Sequence, residues 1–103
     1  MIVVYSKNKI PIRIGNDRWD HIASRHPEMQ SQYSRIVETI TDPDLLQRGD
    51  FDVSLAIRLY PSTPLTRKYL VVAYKEVSSR DGFLLTAYLT SSPSKRRHVL
   101  WKR

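Results

Sequence analysis

The stretch Arg18-Trp19-Asp20-His21-Ile22-Ala23-Ser24-Arg25-His26-Pro27-Glu28 places two histidines and two arginines on one short helical segment. Farther along, Gly82-Phe83-Leu84-Leu85-Thr86-Ala87-Tyr88 interleaves hydroxyls with apolar residues, as a half-buried strand does. An imidazole is suited to proton transfer near neutral pH, and a guanidinium offers phosphate a bidentate fork. In a basic chain without cysteine, that combination points to metal-free attack on RNA.

Other chemistries find less support. His21 and His26 are five apart rather than the four that aligns two ligands on a helix, and no cysteine assists them. No metal and no cofactor is therefore expected. Glu28, Glu38 and Glu76 lack the convergent spacing of a carboxylate pair. With three glycines in the chain there is no phosphate-cradling loop, and His98, among basic neighbours, receives no role.

Several elements must hold these residues. Ile2 to Tyr5 and the alternating Ile10, Ile12 and Ile14 read as an opening hairpin. Gly15-Asn16-Asp17 breaks the chain and offers Asn16 and Asp17 as helix caps. On the helix that follows, Trp19, Ile22, Ala23 and His26 share one face while His21 and Arg25 share another. That leaves His26 as either a core histidine or a site residue, and His21 as the better proton carrier. Met29, Tyr33, Ile36, Val37 and Ile40 form the stripe of a second helix, ended by Thr41-Asp42-Pro43-Asp44, and Gln47 to Asp50 reads as loop. Strands are expected at Val53–Tyr60, Tyr69–Val77 and Phe83–Thr90, with a short last one at Val99–Trp101.

The expected fold is α+β: two N-terminal strands and two helices packed on one face of a twisted antiparallel sheet, in a single domain over residues 1–103. If Val77 pairs with Leu84, then Lys75 faces Thr86, and Lys75, Thr86, Tyr88 and Thr90 share a sheet face with Arg58 and Tyr60. Phe83, Leu85, Ala87 and Leu89 would then enter the core. The plainer reading of that polar face is solvent exposure, the default for one side of an antiparallel sheet.

The chain carries 17 basic against 10 acidic residues, a net charge of +7, which favours a polyanionic partner such as nucleic acid over a merely solvated surface. Lys95-Arg96-Arg97 and Lys102-Arg103 flank Val99, Leu100 and Trp101, so this basic cluster reads as part of the domain's face. Arg58, Arg96, Arg97 and Lys102 are the candidate RNA contacts. The absence of cysteine fits a reducing compartment. The apolar run at Met1–Lys7 is too short for a signal peptide, and no run reaches transmembrane length. A cytoplasmic location with no membrane partner is expected.

Trp19 to Glu28, the helix end Thr39-Ile40-Thr41-Asp42-Pro43-Asp44, the run Tyr69-Leu70-Val71-Val72-Ala73-Tyr74-Lys75, then Phe83 to Tyr88 and Leu100-Trp101-Lys102 resemble the phage-borne branch of the barnase/EndoU/colicin/RelE-like (BECR-fold) nucleases. The resemblance runs from Asp17 to Lys102 and implies the RelE/barnase-like arrangement of helices followed by an antiparallel sheet. It implies a metal-independent endoribonuclease, often a toxin, that drives a ribose 2′-hydroxyl onto the adjacent phosphate and leaves a 2′,3′-cyclic phosphate. His21 would be the base or acid, and Arg25 and Lys75 would stabilise the phosphate. Thr86 and Tyr88 would hold the phosphate, with His26 a second proton carrier or a structural residue. RNA is the implied partner, with a separate acidic antitoxin or immunity protein as a second. The alternative is a non-catalytic RNA- or protein-binding module on the same scaffold.

Overall fold

Ile2–Tyr5 (β1) and Pro11–Ile14 (β2) pair as the expected antiparallel hairpin. Its turn is tied down by Ser6, whose hydroxyl donates to Glu76 at 2.6 Å. These coordinates are a computed structural model that describes residues 2–103; Met1, the first residue of the expected domain, lies outside the described residues.

The first helix, α1 (Asn16–Arg25), begins after Gly15, which stands at the cap position without a side-chain cap bond. Asn16 and Asp17 thus lie inside the helix rather than capping it. Asp17 sits in the first turn and Arg25 in the last, each with the sign that the helix dipole favours. Pro27 cannot continue the ladder and opens a 3-10 turn over Pro27–Met29 instead. The second helix, α2 (Tyr33–Thr41), is accordingly shorter than its apolar stripe, because Met29 is buried from that turn.

Five strands follow, one more than the sequence pattern implies: β3 (Leu45–Arg48), β4 (Ser54–Tyr60), β5 (Lys68–Ser78), β6 (Asp81–Thr90) and β7 (Val99–Lys102). β3 occupies part of the expected loop because β4 and β7 flank it and supply ladder partners on both sides. The sheet order is β1-β2-β6-β5-β4-β3-β7. The sheet is mixed rather than wholly antiparallel: β2 meets β6 in parallel through Arg13 and Phe83, since the chain crosses over both helices between them.

Both helices lie on one face. Ile22 of α1 and Ile36 and Ile40 of α2 pack against Leu70, Val72 and Ala87 in a single buried cluster. The Lys7 ammonium lies 4.2 Å from the centre of the Trp101 ring, so the sheet curls until the turn after β1 meets β7 from the opposite end of the order.

Tyr74, fully buried in this cluster, has a hydroxyl with no hydrogen-bond partner among the described residues. Burial, with the nearby Glu76 charge, pushes its phenol far above the ordinary value. Removing an unpaired buried hydroxyl relieves its desolvation, so Tyr74→Phe is expected to gain about 1 kcal/mol. In a thermal melt that is a rise of roughly 4–8 °C; a fall instead would mean the hydroxyl has a partner in solution.

The second sheet face is not the wet surface the pattern implies. Leu55, Ile57, Val71 and Ala73 are buried there, with Leu85 and Tyr88 packed against them. The segment after β6 crosses this face and is held by Gln47, whose Nε2 donates to the Ser94 carbonyl at 2.7 Å.

Candidate functional site

The β5–β6 hairpin closes on Ser79 and Arg80, with Ser78 opposite Asp81. Lys75 faces Phe83 rather than Thr86, Thr86 faces Ala73, and Tyr88 faces Val71. The register slips where Leu85 is inserted as an extra residue, and such a bulge changes which residues point to which side. Ala87 and Leu89 reach the main core as expected, whereas Leu85 packs on the opposite face and Phe83 sits across from Lys75. Alternation along β5 and β6 still puts Lys75, Thr86, Tyr88 and Thr90 on one face. Arg58 and Tyr60 are not on it: they share the helix side of β4 with Ala56, and Tyr60 belongs to the main core.

Past Phe83, β2 leaves the outer edge of β6 unpaired, and α1 packs there. Here the His26 ring meets Tyr88, with centroids 6.2 Å apart and planes tilted by 37°. The backbone fixes His26 from both sides: its N–H donates to the Ile22 carbonyl at 2.8 Å, and its own carbonyl accepts the Met29 N–H at 2.8 Å. Nδ1 stands 3.7 Å from Glu28 Oε1, and the imidazole side chain is 35 % exposed. A carboxylate on the Nδ1 side orients the ring, and no hydrogen bond among the described residues engages Nε2.

Tyr88 also borders a cavity of about 250 Å³ between the sheet and the segment after β6. Its floor is aliphatic, from Leu55, Ile57 and Val71. Arg97 is the one charged residue on its lining, paired with Asp50 at 3.4 Å. Gln47, 3 % exposed, contributes a buried Oε1 with no hydrogen-bond partner among the described residues. Sequence reasoning missed Gln47, and no local pattern marks it. Phe51, also missed, is 91 % exposed in the loop that bears Asp50. Phe51 and Asp52 take φ of 56° and 61°, a region that bulky residues seldom enter, so the loop holds the ring outward at a backbone cost.

The remaining candidates are scattered. His21 and Arg25 are exposed on α1, unlike its buried Ile22. Five residues of helix turn His21 about 140° from His26, so the two imidazoles do not converge. None of the ion pairs among the described residues uses Arg25, Lys75, Arg96 or Lys102, and all but the half-buried Lys75 are exposed.

Arg58 is occupied. It bonds the Asp42 carboxylate at 2.9 Å and lies 3.4 Å from Glu38, while Arg103 grips the other Asp42 oxygen at 2.6 Å. Burial and the Glu38 carboxylate push the Tyr60 phenol beside this cluster up to about 12. Hydrogen bonds from Arg103 and Arg58 hold Asp42 below its ordinary value. The lowered carboxyl stabilises the fold fully above about pH 4 and loses that contribution as pH falls through the depressed value. Asp42→Asn should therefore flatten the acid loss of stability; melts between about pH 2 and pH 6 with the same slope as wild type would show the pairs contribute nothing.

No group of three or more histidine or acidic side chains that could hold a metal occurs among the described residues. Nor is any helix there long and apolar enough to cross a membrane. In comparisons with known proteins, no family model matches the chain, and no curated protein and no solved structure matches it either.

Proposed function

We propose that the chain is a metal-independent endoribonuclease on a RelE/barnase-like scaffold, with His26 rather than His21 as its proton carrier. The observation that carries this reading is the meeting of His26 and Tyr88 beside an open cavity in a domain of net charge +7. His26 Nε2 takes the proton from the ribose 2′-hydroxyl, and the 2′-oxygen bonds to phosphorus. The bond to the 5′-oxygen breaks, and the Tyr88 hydroxyl gives that oxygen its proton. The products are a 2′,3′-cyclic phosphate and a 5′-hydroxyl end. Glu28 acts through His26 as a positioning residue, while Lys75 and Thr86 on the same sheet face, with Arg97 at the cavity, bind the phosphate. A separate acidic protein is the natural inhibitor of such a surface, through charge complementarity.

The test is incubation of purified protein with mixed RNA, folded tRNA included, in excess EDTA, with ends analysed for cyclic phosphate. Cyclic-phosphate ends support the reading, and intact RNA sinks it.

One observation favours a second reading, an RNA-binding module without chemistry. The cavity's one charge, Arg97, is already paired with Asp50, and Arg25 is not among the residues that line the cavity. Such a module binds RNA with steep salt dependence and yields no cyclic-phosphate ends.

A further inference from the structure

The cavity beside Tyr88 contains a group that the proposed chemistry does not use. Gln47 lies on β3 opposite Leu55, and its side chain is 97 % removed from solvent. The amide cannot be turned over without penalty, because its nitrogen already donates to the Ser94 carbonyl at 2.7 Å. Oε1 is thereby fixed as a buried acceptor with nothing to accept among the described residues, on a side chain that lines the cavity. A buried acceptor without a donor is costly, and unpaired ones are rare in folded proteins.

The rest of the cavity narrows what would supply that donor. At about 250 Å³ it falls below the roughly 300–1,000 Å³ of drug-sized pockets, so it suits a single ring system. Leu55, Ile57 and Val71 form an apolar floor, while Arg97 offers an anion a cation. A flat ring with apolar faces, an N–H at its edge and an attached phosphate matches these demands together.

We propose that the cavity is a base-binding subsite and that Gln47 Oε1 selects a nucleobase bearing an exocyclic amino group. This rests on the RNA reading above, which it deepens by assigning the base next to the cleaved bond. Adenine, cytosine and guanine each carry an amino group. Uracil presents its edge N–H between two carbonyl oxygens, which repel the Gln47 oxygen. A site built to accept a hydrogen bond rejects the ligand that cannot supply it.

The experiment titrates the protein with 3′-CMP and 3′-UMP, by calorimetry and by NMR of the Gln47 side-chain amide, for wild type and Gln47→Leu. Cleavage-site sequencing of RNA is run in parallel. The proposal expects 3′-CMP to bind about tenfold or more tightly than 3′-UMP. It also expects the Gln47 amide resonances to move, and the discrimination to vanish in Gln47→Leu. Equal binding of the two nucleotides by wild type, or an unmoved Gln47 amide, overturns it even if the variant fails to fold. Cleavage with base preference unchanged in Gln47→Leu overturns the subsite and leaves the nuclease reading standing. Gln47-dependent discrimination without any cleavage does the reverse: the cavity is then a nucleotide site on a protein that is not a nuclease.

Discussion

His26→Asn is expected to reduce RNA cleavage by about 10²–10⁴-fold, the usual contribution of a positioned proton-transfer group. Its effect on the thermal midpoint should be small. Asparagine retains the backbone N–H and carbonyl that close α1 on Ile22 and open the turn to Met29, so the local fold survives. What is lost is the ring beside Tyr88 and its carboxylate partner Glu28. His21→Ala serves as the control and should cleave like wild type, because His21 is exposed on α1. Initial rates on one RNA substrate, with circular dichroism melts of all three proteins, decide the matter. A dead His21→Ala beside an active His26→Asn would move the chemistry to His21 and sink the assignment made here.

Ile22→Ala should cost about 2–5 kcal/mol, the usual range for truncating a fully buried aliphatic side chain. Ile22 is the buried residue of α1, and Trp19, partly buried against the same core, meets Tyr33 edge-on with ring centres 4.9 Å apart. In a domain of this size the loss amounts to a fall in midpoint of roughly 10–25 °C. The more telling measurement is made at low temperature, where the variant is still folded. There, activity per folded molecule should drop as well, because α1 delivers His26 to β6 and loses most of its anchorage. Full activity per folded molecule would show that the turn at Pro27–Met29, not α1, positions the imidazole.

Much of the scaffold is legible in residue patterns, and the failures have physical causes. The hairpin of β1 and β2 and the buried stripe of α1 follow from periodicity, whereas β5 and β6 follow from long runs of strand-forming residues, β5 being buried on both faces. β3 escaped because four residues ending in Gln47 and Arg48 before Gly49 carry turn-like chemistry; only β4 and β7 make them a strand. The bulge at Leu85 is equally silent, since alternation cannot announce where it will be interrupted. Arg58 stands in the sequence as a candidate RNA contact, yet Glu38 on α2 and Asp42 just past its end form an acidic pair that holds it. His26 shows the limit from the other direction. Its place on the apolar stripe allowed a core role or a site role, and its half-buried contact with Tyr88 is compatible with both.

The strand order also sets the sequence of assembly. β4, β5 and β6 are joined by short connections, whereas residue 13 must find residue 83 and residue 46 must find residue 101. Because closing long loops costs more entropy, the local meander forms early and both flanks of the sheet join late. The cavity needs residues 47, 88 and 97 together, and the imidazole at 26 gains its partner only when α1 docks on β6. A growing chain therefore lacks a complete cavity until residues as far as 97 have been synthesised and the segment after β6 has folded back over the sheet.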